Sequence, residues 1–425
     1  MYVPTRGSWG ASVSLRLGFV LVLTVCFQWT TSALNETAEL NILHSRWRSL
    51  DRLAIEEHWA GTFAALSHDD KERTVTLDLT GEDTACPRPV IRARLSGPAL
   101  VLLSWTRYHK KLVGRYDAPI PGKYFIEVIV LACSEMTPEW TMQEVRDMCI
   151  ADVTTHRVSQ KNSSIFITQA STRINGIGTW MQTVEMYLPV YTRVQPPACR
   201  NCVNFTSTDR FAGYAFNFSH EHALANRSTT QLAAASHKLG RTCFVGASHS
   251  CTMVELLTQE YPILFDVVHV GIKWPSDLPV ASRRLLRSNC STAVVGIGQW
   301  PAGWPENHPM SFEEYETNMR RSLAEFVRRT KDKGVRTFSR NTHENPLGYI
   351  ISSCPPSDWR NPEVIRIYNE LLQNICQDLR IPHLMITDIT APLWDSAPDW
   401  CHYKNDAGLI EALFILQSIS TYDSG

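Results

Sequence analysis

The sequence predicts two kinds of structure in series: a β-sandwich, then a three-layer α/β unit built on a mostly parallel sheet. Three observations carry that reading. Residues 45–194 hold short β-branched and aromatic runs separated by turn residues, the pattern of packed antiparallel sheets. Residues 235–425 alternate strand-length apolar runs with longer helical ones, as in a parallel sheet with helices on both faces. The 425 residues are 44% hydrophobic, enough for two or three domains at about 100–200 residues each.

In the first part, Arg73 to Thr80 alternates, with Val75, Leu77 and Leu79 on one face. Val90 to Leu95, Ala99 to Trp105 and Tyr124 to Ala132 are further strand candidates, with Pro119, Pro121 and Gly122 as turn residues; Ser164 to Ser171 and Thr183 to Val194 continue the series. No catalytic constellation stands out there, and the expectation is a packing or binding module. Residues 195–234 read as a connecting region, with Pro196, Pro197, Cys199 and Cys202. Cys199 and Cys202 have no second pair at zinc-finger spacing, so no metal is expected.

In the second part, Thr242 to Gly246 is a short apolar strand and Ser250 to Glu260 a helix. Phe265 to Val270, Thr292 to Gly296, Val335 to Phe338 and His383 to Thr387 are further strands. Ser311 with Glu314 has the spacing of a capping box and opens a helix that ends at Gly334. Asn361-Pro362 starts another, running to about Leu379, and Asp406 to Ile419 is the last. In such folds the ligand lies beyond the carboxyl ends of the strands.

The first residues carry Arg6 and Arg16, an apolar run from Leu17 to Trp29, then Thr31 and Ala33. This is the form of a secretory signal over residues 1–33; an uncleaved type II anchor is the competing reading, and the only one that involves a membrane. Two features agree with the secretory pathway, secreted or Golgi. Sequons start at Asn35, Asn162, Asn204, Asn217, Asn226 and Asn289. Eleven cysteines follow the leader; in an oxidising lumen most should pair, and an odd number leaves at least one unpaired. The balance of 41 Lys+Arg against 42 Asp+Glu argues against a nucleic-acid partner. No cofactor is expected.

Two segments carry chemistry. In Cys243-Phe-Val-Gly246-Ala247-Ser248-His-Ser250-Cys251, a strand runs into a glycine and a serine follows just before a helix. A hydroxyl and unpaired backbone N–H groups then meet at a helix N-terminus, which suits an oxyanion. The bland alternative is that Ser248 or Ser250 is an N-cap. In Pro398-Asp399-Trp400-Cys401-His402-Tyr403, Asp399 and His402 are three apart, so one turn faces them the same way. Asp399 would orient the His402 imidazole and leave Nε2 for a serine.

A serine after the first strand of an α/β unit, with D-x-x-H before its last helix, resembles the SGNH/GDSL hydrolase superfamily. Within it the chain resembles the PC-esterase family, which includes trichome-birefringence-like proteins and neurexophilin-and-PC-esterase proteins; the latter have a filamin-like, immunoglobulin-type sandwich before the esterase domain. Tyr116-Asp-Ala-Pro-Ile-Pro-Gly-Lys-Tyr124 is similar to a strand start in such sandwiches. The resemblance implies Ser248 as nucleophile, and Asp399 and His402 as its triad partners. Val294-Val-Gly296-Ile-Gly298-Gln299-Trp300 is similar to the middle block, implying Ser248, Gly296, Gly298 and Gln299 around the oxyanion. Asp388 is implied as a further, structural position. Three positions depart from the family pattern: Ala247 replaces the Asp of G-D-S, Cys251 stands where a basic residue is common, and Gly296 stands where an Asn is expected.

The resemblance implies an esterase or O-acyltransferase acting on glycans or other acylated carbohydrate, with Trp300, Trp304, Trp394 and Trp400 available to stack on sugar rings. The alternative is a catalytically degenerate secreted glycan-binding or adhesion protein on the same fold. A nucleotide-sugar glycosyltransferase lacks its D-x-D motif here. Arg340 to His343 follows a strand and is a further candidate lining of the cleft.

Overall fold

The computed structural model describes residues 65–78, 88–132, 135–141, 144, 164–171, 177–182, 214–218, 234, 237, 239–303, 310–344, 360, 362–393, 402–403 and 406–422. All belong to one compact unit, Arg52–Gly425. The leader expected at 1–33 and the strand expected at Thr183 to Val194 lie outside the described residues, as does Asp399.

The first part forms ten strands: β1 Ala65–Asp69, β2 Thr74–Asp78, β3 Val90–Ser96, β4 Ala99–Leu102, β5 Ser104–Tyr108, β6 Lys111–Arg115, β7 Gly122–Ala132, β8 Ser164–Ile167, β9 Gly178–Gln182 and β10 Tyr214–Phe218. They make two antiparallel sheets, in the orders β1-β2-β6-β5 and β10-β9-β4-β3-β7-β8. Alternation along each strand decides which side chains are buried. Val75, Leu77 and Leu112 of the first sheet and Ala93, Leu95, Val101, Tyr124, Ile126 and Ile167 of the second form one buried cluster. The run Ala99 to Trp105, expected as one strand, is divided at Leu103 between the two sheets. Strand β10 falls inside the stretch read as a connection and pairs with β9 from Tyr214↔Gln182 to Phe218↔Gly178.

The second part holds β11 Thr242–Gly246, β12 Val267–Gly271, β13 Thr292–Gly296, β14 Arg336–Arg340 and β15 His383–Leu384. They form a parallel sheet in the order β12-β11-β13-β14-β15. Its helices are α1 Ser248–Glu260, α2 Leu278–Arg287, α3 Gln299–Gly303, α4 Phe312–Lys331, α5 Pro362–Leu379, α6 Thr387–Thr390 and α7 Asp406–Thr421. The central strands β11 and β13 are buried on both faces, so they read as continuous hydrophobic runs. Cys243, Val245, Ala293 and Val295 join a core with α2, α4 and α5. Phe244, Val294 and Phe338, pointing the other way, join a second core with α1 and α7. The mixed α/β architecture with a parallel sheet expected from the sequence is therefore present.

Local chemistry explains several boundaries. Ser311 Oγ accepts from the Glu314 N–H at 3.0 Å and starts α4. Helix α1 begins two residues earlier than expected, because Ala247 is its N-cap and Ser250 N–H already bonds to Ala247 O. Strand β15 is only two residues long, so Asp388 does not end a strand; it lies in the first turn of α6. Cys243 and Cys290 form a disulfide with Cα atoms 5.9 Å apart, joining β11 to the lead-in of β13, and Cys376 is free and buried. Among the described residues no helix is long and apolar enough to cross a membrane.

The antiparallel part packs on the α/β part through polar bonds. Arg94 is fully buried, pairs with Glu127 at 2.5 Å and donates to the Pro392 carbonyl at 2.5 Å. Trp180 Nε1 donates to Ile389 O at 2.8 Å. A buried cation held between a carboxylate and a carbonyl is tolerable only when both contacts are made.

Candidate active site

The strand order places the first strand second from the edge, with the sheet running away on the other side. The order in which strands are added switches sides between the parallel neighbours β11 and β13, and the crevice outside their carboxyl ends is where such sheets bind ligands. Gly246 and Gly296 end these two strands in register. A Cβ on Gly246 would meet Gly296 O and Ser250 Oγ, both at 2.4 Å, so glycine permits the close approach at the strand ends.

Ser248 is the first residue of α1, two residues beyond Gly246 with Ala247 between them. Its hydroxyl is not used as a cap, and Ser250 Oγ accepts from Arg340 Nη2 at 3.0 Å. Ser248 Oγ instead lies 2.8 Å from His402 Nε2, across 154 residues of sequence. His402 sits just ahead of α7 and is half-buried. A serine hydroxyl against an imidazole nitrogen at this distance is the geometry of an activated nucleophile. The helix N-terminus beneath it adds partial positive charge where an oxyanion would develop.

A small cleft opens beside the two residues flanking Ser248, lined among others by Ala247, His249, Gly296, Gly298, Gln299 and Arg340. The middle-block residues expected from sequence thus come to the same place as the serine. Gln299 is buried, and its Nε2 donates to His343 O at 2.7 Å, so the side chain fixes the segment after β14. Gly298 admits Thr342, whose Oγ1 would lie 2.3 Å from a Cβ there. Lys273 also lines the cleft, with its Nζ over the Trp300 ring at 3.7 Å.

Two groups that the sequence reading passed over complete the surroundings. His249 is buried, stacks on His343 with ring centroids 3.9 Å apart, and meets His402 edge-on at 5.0 Å. Burial, followed by His343 and His402, lowers its pKa well below the usual histidine value, so it is a neutral ring at physiological pH. His343 Nδ1 lies 3.0 Å from a carboxylate oxygen of Glu411, which is 0% exposed. The signal for Glu411 was its place as a lone carboxylate in the apolar run of α7, since buried carboxylates are retained only with partners. His249 had a weaker signal: a ring-bearing residue directly after the serine must lie near it. Arg340, one of the further cleft candidates, ends β14 at 2% exposure. Burial lowers its pKa to about 10, with Glu411 acting the other way, so it remains a cation at neutral pH.

Of the other sequence candidates, Trp304, Trp394 and Trp400 lie outside the described residues, as do the sequons at Asn35, Asn162, Asn204 and Asn226. Asn289 is exposed in a turn with φ 53°. Asn217 is half-buried on β10 and donates to Met181 Sδ at 3.1 Å. Among the described residues no group of three His, Cys, Asp or Glu side chains is placed to hold a metal ion.

No family model and no curated protein matches the chain. Among solved structures it is similar to a GDSL-like lipase from Bacteroides thetaiotaomicron, at 15% identity over 47% of this chain and 98% of that one, with a TM-score of 0.35. It is similar to the psychrotrophic esterase EstA from Pseudoalteromonas, at 14% identity over 44% of this chain and 99% of that one, TM-score 0.32. It is also similar to Axe2, an acetylxylan esterase from Geobacillus stearothermophilus, at 16% identity over 42% and 93%, TM-score 0.31.

Proposed function

We propose that this chain is a serine-dependent acyl esterase or O-acetyltransferase on an SGNH-type fold, of the PC-esterase kind. The observation that carries the reading is the 2.8 Å contact between Ser248 Oγ and His402 Nε2 at the switch point of the parallel sheet. Ser248 attacks the acyl carbonyl while His402 takes its proton. His402 then protonates the departing oxygen, leaving an acyl-serine. Water as acceptor completes hydrolysis, and a sugar hydroxyl completes transfer. Asp399 is proposed as the group that orients His402.

The substrate is proposed to be an acylated glycan of the secretory pathway, a reading supported by the leader-like N-terminus and the sequons. The antiparallel part is proposed as a filamin-like sandwich that contributes no catalytic group. Ala247 and Gly296 favour the second reading, a degenerate binding protein, since they stand where a carboxylate and an amide are expected.

Intact-protein mass spectrometry after exposure to a small activated acetyl ester separates the two. An acetyl adduct on the wild type, missing from Ser248→Ala, is the expected result. No adduct and no ester turnover would favour the binding protein.

A further inference from the structure

Gly296 has no side chain at the end of β13, and another group fills the space. A Cβ built on Gly296 would lie 2.6 Å from both Cζ and Nε of Arg340 and 2.9 Å from its Nη2. The guanidinium of the neighbouring strand therefore occupies the volume into which a residue at 296 would project. Two of its nitrogens are engaged, Nη2 with Ser250 Oγ at 3.0 Å and Nη1 with Asn341 O at 3.2 Å. Nε is buried and has no hydrogen-bond partner among the described residues. Buried donors are nearly always satisfied, so one left open beside a cleft marks a place kept for an acceptor. That cleft is lined by Arg340 and by Ala247 and His249, the two residues flanking Ser248.

We infer that Arg340 is a catalytic residue whose Nε–H donates to the carbonyl oxygen that becomes negative as Ser248 adds to the acyl group. The inference rests on the esterase reading above and extends it. In the step, the Ser248 Oγ–carbon bond forms, the carbonyl π pair moves onto oxygen, and the serine proton passes to His402. On collapse the pair returns, the bond to the departing oxygen breaks, and His402 returns its proton there. Arg340 makes no covalent bond and transfers no proton. It places a fixed positive donor where charge develops, in a site with little water to screen it. The same guanidinium bonds to Ser250, two residues after the nucleophile, which holds the donor in register with α1.

The test measures p-nitrophenyl acetate turnover by purified full-length protein, alongside acetyl-adduct mapping at Ser248. Two variants are compared with wild type: Arg340→Gln, and Arg340→Ser combined with Gly296→Asn, which places an amide in the vacated volume. Arg340→Gln should lower kcat about 10²–10³-fold with little change in KM, and the double variant should recover to within about tenfold of wild type. A purely structural arginine predicts a lower melting temperature without that kcat-selective loss, and no recovery from an amide at 296. The inference falls if folded Arg340→Gln keeps kcat within about threefold of wild type, or if the folded double variant is no faster than Arg340→Gln. Should Arg340→Gln fail to fold, the double variant decides alone; if neither folds, Arg340 is a folding residue and the inference falls. A wild type that forms no Ser248 adduct overturns the esterase reading and this inference together, whereas an adduct with an unaffected Arg340→Gln overturns this inference alone.

Discussion

Arg92 Nη2 donates to Glu344 Oε1 at 2.6 Å, with both side chains largely buried, and so joins β3 to the residue after His343. The contact links the antiparallel part of the chain to the segment that carries Asn341, Thr342 and His343. Truncating Arg92 leaves a carboxylate at low exposure without its cation. Arg92→Met should cost about 1.5–3 kcal/mol in urea unfolding. A double-mutant cycle with Glu344→Gln should give a coupling of about 0.5–3 kcal/mol. Ester turnover should also fall, by about tenfold or more, because the displaced segment borders the cleft. Additive effects of the two substitutions would show that the pair does not hold this segment.

Glu411 is buried at the centre of α7, near His343 and Thr390. Glu411→Ala removes the acceptor for His343 Nδ1 and leaves that donor in the interior. A loss of about 1.5–3 kcal/mol is expected in denaturant unfolding, the range for hydrogen bonds to charged groups. Glu411→Gln keeps an acceptor oxygen and should recover part of it. Equal stability of Glu411→Ala and wild type would mean that the carboxylate is dispensable.

The parallel sheet was legible because its first three strands are short apolar runs ending in glycine, and its helices have recognisable starts such as Ser311 and Pro362. Strands β11 and β13 are buried on both faces, so the signal was continuous hydrophobicity, which sequence reads well. The site was legible where chemistry and local position coincide: Ser248 after a strand, His402 before a helix. Arg340 was read only as a cleft-lining candidate and Glu411 was not read at all, because their contacts depend on strand order and on packing across α7, not on spacing. The division at Leu103 was hidden for a related reason. One β-run crosses from one sheet to the other, and alternation is the same in both.

Gly408 lies in the first turn of α7, where a Cβ would come 2.0 Å from the Tyr403 carbonyl oxygen and 3.0 Å from Leu256 Cδ1. The backbone oxygen belongs to the residue after His402, so relief of the clash must move the histidine segment or the helix. Gly408→Ala should lower Ser248 acylation by about tenfold or more, with a lower melting temperature. Gly334→Ala is the control: its φ of 74° is strained for alanine but a Cβ there meets nothing within 4 Å. It should cost about 1–2 kcal/mol and leave the acylation rate unchanged. Wild-type acylation by Gly408→Ala would show that the helix start does not position His402.

His383 gives the fold an acid-sensitive element. It begins β15, and neither ring nitrogen has a hydrogen-bond partner among the described residues. Burial lowers its pKa from 6.5 to about 4. The folded pKa is below the unfolded one, so the unfolded chain takes up the proton first as pH falls. The contribution to stability is therefore complete above about pH 6.5 and is lost progressively toward pH 4, with a slope of at most about 1.4 kcal/mol per pH unit. His249, also held neutral by burial, has the same sign and begins to act below the same unfolded pKa. Urea unfolding at pH 7.5 and pH 5 should show wild type losing stability on acidification, and His383→Gln losing less. If the two lose the same amount, the imidazole at 383 takes no part in the acid response.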